Sequence, residues 1–189
     1  MLIRILAFLL ETAFFVLIAA ALLRAWMNWL RVSMTGQPGK FVMALTDWLV
    51  KPLRRSLPKS WTPSRVDWAS VLTASLMALA YAVLAGLLFG VLGSIGEEGM
   101  DLAAGFFLML PVIALKMLVR VALQTLFMLV LGYAILSWVQ PGSMAFGLLA
   151  RLSEPLLTPL RRVIPAIGGV DLSALALLVV LQIGLMVLV

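Results

Sequence analysis

The sequence contains neither cysteine nor histidine, and it has only eight acidic residues among 189. These absences exclude disulfide bonds, zinc sites built from cysteine and histidine, cysteine nucleophiles and serine–histidine catalytic triads. The acidic residues are too few for most carboxylate-based chemistry. Because no nucleophile is paired with a base and no ligand cluster is evident, we expect no enzymatic activity, no metal ion and no cofactor.

Charged residues of either sign are scarce. Only 12% of the residues are charged and 64% are hydrophobic, whereas about a quarter of the residues of a soluble protein are charged. A chain of this size cannot bury so much apolar surface within itself, so a bilayer must act as its solvent. The composition therefore predicts an all-α integral membrane protein.

The basic residues outnumber the acidic ones, and the net charge is +6. Eight of the 14 lysines and arginines lie between Arg24 and Arg65, and Arg151, Arg161 and Arg162 lie in a second polar stretch. Both stretches are short and connect apolar spans. In neither do basic residues alternate with aromatic residues, as they do on surfaces that bind single-stranded nucleic acid. The pattern predicts cytoplasmic loops beside anionic lipid headgroups, with no nucleic-acid partner.

Four apolar spans predict four membrane crossings. They cover residues 2–23, 68–92, 121–139 and 170–189. Residues 102–115 contain Pro111 and are short for a crossing, so we expect an extra short outer-side helix there; a crossing at this point would invert the topology that follows. We predict a multi-pass protein of the bacterial inner membrane with both termini outside.

A duplicated motif organises the chain. Residues 52–58 (Pro-Leu-Arg-Arg-Ser-Leu-Pro) and 159–165 (Pro-Leu-Arg-Arg-Val-Ile-Pro) agree at five of seven positions, and each motif precedes an aspartate that opens an apolar span. The pattern predicts two parallel two-helix repeats, residues 1–92 and 116–189, joined by an acidic outer turn and short apolar helix over residues 93–115. Two readings stay open: a shared site between the halves, or duplication as a way to build a bundle.

The paired motifs, each followed by its aspartate, resemble the bacterial YggT family. Residues 130–138 (Val-Leu-Gly-Tyr-Ala-Ile-Leu-Ser-Trp) and 164–171 (Ile-Pro-Ala-Ile-Gly-Gly-Val-Asp) are especially close to it, and the resemblance covers nearly the whole chain. It implies a small inner-membrane protein. Members are linked with osmotic tolerance, with division-gene neighbourhoods and, in plastids, with cytochrome cofactor assembly and nucleoid organisation.

The prolines of the two motifs are candidate hinges. Since proline lacks an amide donor and has a fixed φ, Pro52 and Pro159 are expected to begin or kink a helical turn, and Pro58 and Pro165 to end it. The stretch before each hinge is amphipathic, with the spacing of a helix that lies in the inner interface plane.

The arginines of the two motifs are candidate binding residues. Arg54, Arg55, Arg161 and Arg162 are expected to contact lipid phosphates, a specific headgroup or an acidic segment of a membrane partner. The alternative is that they are generic anchors whose side chains reach the interface without specificity.

Asp67 and Asp171 stand immediately before their apolar spans. Aspartate is among the best N-cap residues, and the helix dipole favours its charge there, so we expect both to cap helices. A sharper hypothesis pairs each aspartate with the arginine hinge of its own or the opposite repeat. On that hypothesis, loss of Arg55 and Arg162 destabilises the fold.

Glu11 is a carboxylate inside the first apolar span. Alignment of the repeats places it less than one turn from the level of Arg120, so we predict an intramembrane ion pair between the two in the outer third of the bundle. A proton or ion relay is the alternative, although no chain of further acids supports it.

A stripe of small residues at four-residue spacing runs through the second span. It consists of Ser70, Ala74, Ala78, Ala82, Gly86 and Gly90. Such stripes let helix backbones approach closely. We expect it to pack within the chain, with a homodimer seam left open.

Two functional hypotheses result. The first is a non-enzymatic assembly, scaffolding or lipid-organising factor whose basic cytoplasmic hinges engage anionic lipid or a partner, with the osmotic or division link that the resemblance implies. The second is a small transporter or ion pathway that uses Glu11 and Arg120.

Overall fold

The structure, a computed structural model, describes residues 1–34, 36, 39–57, 66–88, 99–162 and 171–188. This part contains no β-strand, and the predicted all-α class is confirmed for it. The helices are α1 (Leu2–Trp29), α2 (Gly39–Ser56), α3 (Trp68–Gly86), α4 (Gly99–Val139), α5 (Met144–Arg161) and α6 (Leu172–Leu188).

Three of these helices have the length and composition of membrane-spanning segments. The apolar stretches are Arg4–Trp29 in α1, Trp68–Gly86 in α3 and Leu108–Val139 in α4. Helix α6 is equally apolar and has 17 residues. At 1.5 Å per residue it extends about 26 Å, slightly less than the roughly 30 Å of a bilayer's hydrocarbon core.

Helix α4 differs from the prediction. It has 41 residues and continues through Pro111, and its length of about 60 Å is twice the hydrocarbon thickness. The separate outer-side helix predicted over residues 102–115 is therefore not present, because these residues form the first part of α4. Ala114, Met117 and Val121 are buried against α1 and α3, and this packing holds the segment helical despite the proline.

The chain divides into two compact units. Unit 1 comprises Met1–Asn28 and Ser33–Val121, and unit 2 comprises Trp29–Val32 and Ala122–Val189. The division falls inside α4, whereas the repeats predicted from the sequence cover residues 1–92 and 116–189.

The small-residue stripe of α3 forms much of the core of unit 1. Ala74, Ala78 and Ala82 are at most 1% exposed and pack with Ile18 and Ala21 of α1. Ser70 and Gly86 are buried as well, and Gly90 lies outside the described residues. The stripe therefore packs within the chain, where its small side chains let neighbouring helices approach closely.

The core of unit 2 is built from the second part of α4 with α5 and α6. Val130 and Leu157 are fully buried there, and Leu177 packs against them. At Gly132 a Cβ atom would lie only 3.1 Å from Cδ1 of Leu149. A side chain at this position would push α4 and α5 apart.

Both predicted amphipathic stretches are helical, and they form α2 and α5. Val42, Thr46 and Val50 are the buried face of α2 at i, i+4 spacing. At the start of α2, a Cβ on Gly39 would lie 2.6 Å from Cα of Met34, so only glycine fits there.

The motif prolines do not begin helical turns. Pro52 lies within α2 and Pro159 within α5, each close to the C-terminal end of its helix. Both side chains are exposed. Pro58 and Pro165, the predicted helix ends, lie outside the described residues.

Candidate functional site

A buried arginine joins three helices in unit 1. The side chain of Arg24, near the C-terminal end of α1, is only 7% exposed. Its Nη1 donates to Oγ1 of Thr46 and to Oδ1 of Asp47, each at 2.8 Å, and its Nε lies 3.9 Å from Oδ2 of Asp67. A buried charge is costly unless it is paired and hydrogen-bonded. Arg24 is therefore a structural anchor and not one of the predicted basic loop residues.

Asp67 connects the first motif to α3. Nη2 of Arg54 donates to its Oδ2 at 2.5 Å, and Oγ of Ser70 donates to the same oxygen at 2.9 Å. Asp67 occupies the N-cap position, but its side chain makes no cap hydrogen bond to the backbone. Asp67 thus lies at the predicted position, while its carboxylate pairs with Arg54 and Arg24 instead of capping the helix.

Asp47 is the acidic residue of α2 and is paired twice. Besides its contact with Arg24, its Oδ2 lies 2.8 Å from Nζ of Lys51. The hydrogen bond from Lys51 lowers the pKa of Asp47; burial raises it, and the contacts with Arg24 lower it further, so that the net shift is downward. Asp47 is therefore a carboxylate at neutral pH, and its negative charge is balanced within unit 1 by Arg24 and Lys51.

A second cluster occupies the corresponding place in unit 2. Nη2 of Arg161 donates to Oδ2 of Asp171 at 2.7 Å and to the hydroxyl of Tyr133 at 2.8 Å. Its Nη1 donates to Oε2 of Glu154 at 3.1 Å. The guanidinium thereby connects α4, α5 and the start of α6. In unit 1, Arg24 and Arg54 together connect α1, α2 and the start of α3 in the same way.

Asp171 caps α6 as well as binding Arg161. Its Oδ1 accepts a hydrogen bond from the backbone N–H of Ser173 at 3.1 Å and another from the Ser173 hydroxyl. Tyr133 donates its hydroxyl to Oδ2 at 3.2 Å. The predicted capping and the predicted pairing with an arginine thus occur together at this aspartate.

The electrostatics of this cluster keep both charges in place. Burial raises the pKa of Asp171, but hydrogen bonds from Ser173 and Arg161 outweigh it and hold the pKa below its usual range. Burial lowers the pKa of Arg161, but the hydrogen bond and charge of Asp171 outweigh it and raise the pKa above its usual value. Each partner stabilises the charged form of the other.

The two arginines of each motif have different environments. Arg54 and Arg161 bind the aspartate of their own unit, whereas Arg55 and Arg162 are exposed and have no acidic partner among the described residues. The predicted pairing of aspartate and motif arginine is present in each unit, but the arginine that pairs is Arg54 or Arg161 and not Arg55 or Arg162. Successive helical residues point about 100° apart, so only one of two adjacent arginines can face the aspartate.

A hydroxyl residue on the amphipathic helix also differs between the units. Thr46 of α2 corresponds to Ser153 of α5 at the repeat offset of 107. Thr46 accepts a hydrogen bond from Arg24. The counterpart of Arg24 in the second repeat, at an offset of 112, is Leu136, which cannot donate such a bond. Oγ of Ser153 is buried without a hydrogen-bond partner in the described part of the chain. A buried hydroxyl without a partner destabilises the fold that contains it.

The structure brings Glu11 and Arg120 together within unit 1. Nη1 of Arg120 lies 3.3 Å from Oε1 of Glu11, and both side chains are 42% exposed. Glu11 lies in the apolar stretch of α1, and Arg120 lies in that of α4. Each of these charges therefore has a counterion between two apolar helices.

Three features of the site were not predicted. They are the burial of Arg24, the hydroxyl of Tyr133 and the acids Asp47 and Glu154. The acids precede Arg54 and Arg161 by seven residues each, which is about two helical turns, so acid and arginine share a helix face. That spacing is the signal in the sequence that could have identified the two acids.

The comparisons with known proteins agree with the resemblance. A family model described as CCB3/YggT matches residues 3–88 and 112–189. "Uncharacterized protein in proC 3'region" of Vibrio alginolyticus is 36% identical over 177 residues, which cover 93% of this chain and 89% of the relative. "Uncharacterized protein YggT" of Escherichia coli K12 is 32% identical over 179 residues, which cover 94% and 86%. No solved structure matches the chain significantly. The resemblance is confirmed, and the chain belongs to the CCB3/YggT family.

Proposed function

We propose that the chain is a non-enzymatic protein of the bacterial inner membrane that organises anionic lipid and thereby supports the assembly of other membrane proteins. Its binding groups are Arg55 and Arg162, the second arginine of each motif. The observation that carries the proposal is the division of labour within the motifs, because one arginine is bound to an aspartate and its neighbour remains exposed.

Exposed arginines at a membrane interface are well suited to phosphate. A guanidinium can donate two parallel hydrogen bonds to phosphate oxygens, and each basic residue near an anionic surface contributes about 1 kcal/mol. Arg54 and Arg161 fix the C-terminal ends of α2 and α5. Arg55 lies in the last turn of α2, and Arg162 is the C-cap residue of α5.

The proposal includes a duplicated topology. Each repeat supplies a crossing, a basic interfacial helix and a second crossing; four crossings place both motifs on the cytoplasmic side and both termini outside. The two separate family matches support the duplication, as does the arginine–aspartate pair in each unit.

Single cysteines test this topology, because the native chain has none. A Cβ at Gly36 or Gly142 meets nothing within 4 Å, so Gly36→Cys and Gly142→Cys should leave the fold intact. We expect a membrane-impermeant maleimide to label both only from the cytoplasmic side. Labelling of the two cysteines from opposite sides would overturn the topology.

Lipid composition tests the binding function. The wild type and an Arg55→Ala/Arg162→Ala variant would be extracted with surrounding lipid in polymer nanodiscs, and the lipids identified by mass spectrometry. Arg31→Ala/Arg151→Ala is the matched control, since it removes two exposed arginines outside the motifs. We expect anionic lipid enrichment to be lost only in the motif variant. Equal losses would show generic anchoring and reject the proposal.

The alternative function is a small transporter, and the ion pair of Glu11 and Arg120 favours it. A transporter that uses this pair should lose flux or its pH response in proteoliposomes when Glu11→Gln is introduced. A lipid-organising protein should show at most a loss of stability.

A further inference from the structure

The outward face of α2 carries aromatic side chains in addition to bases. Phe41 and Trp48 are 61% and 62% exposed, and Ala44 lies exposed between them. The three residues follow one another at spacings of three and four, so they form one stripe on the helix. Large aromatic side chains exposed to this degree need a covering medium or partner.

The position of α2 indicates what covers this stripe. Arg24 ties α2 to the C-terminal end of α1, and Arg54 ties it to the N-terminal end of α3. Trp68, at the second of these helix ends, is 42% exposed. Tryptophan is enriched where membrane-spanning helices meet the headgroups. Helix α2 therefore lies at the level of the membrane–water interface of unit 1.

The charge on α2 favours an anionic bilayer over a neutral one. The acid of the helix, Asp47, is neutralised by Arg24 and Lys51. Lys40 and Arg55 are exposed and have no acidic partner in the described part of the chain. An aromatic stripe flanked by uncompensated positive charges is typical of helices that bind the surface of anionic membranes.

Helix α5 lacks these features although it corresponds to α2. At an offset of 107 the counterparts of Phe41 and Trp48 are Leu148 and Pro155, and both are half-buried. The exposed residues in the middle of α5 are Gly147, Arg151 and Glu154. This surface is small, polar and of mixed charge. The large apolar side chain that α5 exposes is Met144, in its first turn, so α5 has no aromatic stripe to insert into a bilayer.

We infer that α2, and not α5, inserts Phe41 and Trp48 into the headgroup–acyl boundary of an anionic bilayer, with Lys40 and Arg55 at the phosphates. The inference deepens the proposed lipid-organising function and rests on it. It assigns the insertion of an interfacial helix to unit 1, whereas Arg162 of unit 2 binds phosphate without such insertion, and it makes the two halves unequal.

Site-directed spin labelling tests the inference, since no native cysteine interferes. Ala44→Cys and Ala145→Cys are matched substitutions at exposed alanines of α2 and α5. The full chain would be reconstituted in vesicles of equal parts phosphatidylglycerol and phosphatidylcholine. Collisions of each nitroxide would then be measured with oxygen, which concentrates in lipid, and with a water-soluble nickel complex.

We expect the label at residue 44 to show a several-fold higher ratio of oxygen to nickel collisions than the label at residue 145. Adding Phe41→Ala and Trp48→Ala should bring the ratio at residue 44 down to that at residue 145, with helicity by circular dichroism unchanged. Equal ratios at the two labels, or no response to loss of the aromatics, would overturn the inference. Shielding of residue 44 from both reagents would also overturn it, because a protein partner would then cover α2.

The inference and the proposed function can fail separately. If the label at residue 44 is accessible to nickel while anionic enrichment still depends on Arg55 and Arg162, only the insertion of α2 is rejected. If the label is immersed in lipid but enrichment does not depend on these arginines, the lipid-organising function is rejected.

Discussion

In both units a polar cluster pairs the aspartate that precedes an apolar helix with an arginine of the motif, but the other residues of the two clusters differ. In unit 1 the aspartate that opens α3 is buried, and two arginines, Arg24 and Arg54, compensate it. In unit 2 the aspartate that opens α6 is partly exposed and is bound by Arg161 and the Tyr133 hydroxyl. The pair of motif arginine and aspartate is common to both, whereas its surroundings differ. The common pair holds the helices together, and the differing surroundings set how much each unit depends on it.

The largest expected effect is at Arg24. Arg24→Leu leaves the buried Asp67 and the half-buried Asp47 with fewer partners. Breaking a buried pair of this kind costs about 3 kcal/mol when other partners, here Lys51 and Arg54, remain. Arg151→Leu removes an exposed arginine and is the control, with an expected cost below about 0.5 kcal/mol. Unfolding in mixed micelles titrated with dodecyl sulfate measures both. Equal costs would mean that Arg24 is not an anchor.

Within each motif the first arginine should matter more for stability than the second. Arg54→Ala removes the charge-assisted hydrogen bond to Asp67, and Arg161→Ala removes those to Asp171 and Glu154. We expect each variant to cost about 1–2 kcal/mol after allowance for partial exposure. Arg55→Ala and Arg162→Ala should cost less than about 0.5 kcal/mol. The same unfolding titration distinguishes the two groups, and a reversed order within either motif would refute the assignment.

Acid should weaken unit 2 through Asp171. Its pKa is lower in the folded state than its ordinary value, so the unfolded state binds the proton more readily. The stability from Asp171 is therefore fully present above about pH 5 and is lost as the pH falls through the folded-state pKa. The melting temperature of Asp171→Asn should be lower than that of the wild type at neutral pH and should fall less in acid. Parallel curves for the two proteins would contradict this linkage.

The smallest effect compares two corresponding hydroxyls. Thr46→Val removes an acceptor of Arg24 and should cost about 1 kcal/mol, whereas Ser153→Ala removes a buried hydroxyl without a partner and should be neutral or slightly stabilising. Thermal melting in the same detergent would resolve the difference in sign. A destabilising Ser153→Ala would indicate that Ser153 has a partner in the native membrane.

Much of this arrangement follows from local patterns. Apolar length predicts α1 and α3, amphipathic spacing predicts α2 and α5, and the aspartate before each span marks the residue after which α3 and α6 begin. The pair of Glu11 and Arg120 was found by aligning the repeats, because few charges inside apolar spans leave few partners to choose from.

The remaining features depend on three-dimensional packing. Arg24 stands at the end of an apolar run, where a lipid-facing charge is expected, and its partners are 22 and 23 residues away. The choice between Arg54 and Arg55 depends on how α2 is rotated against α3, which the sequence does not specify. Residues 102–115 are predicted as a separate helix because they are short for a crossing, but contacts of Ala114 and Met117 in the core keep them continuous with the rest of α4.

The separate roles of the two arginines in a motif are tested most directly by measuring stability and bound lipid in the same preparation. Arg54→Ala and Arg55→Ala would each be extracted in polymer nanodiscs, and the melting temperature and the co-purified anionic lipid determined for both. We expect Arg54→Ala to lower the melting temperature and keep the lipid, and Arg55→Ala to reduce the co-purified anionic lipid and keep the melting temperature. If the two variants change both quantities together, or neither, then the arginines do not have separate roles.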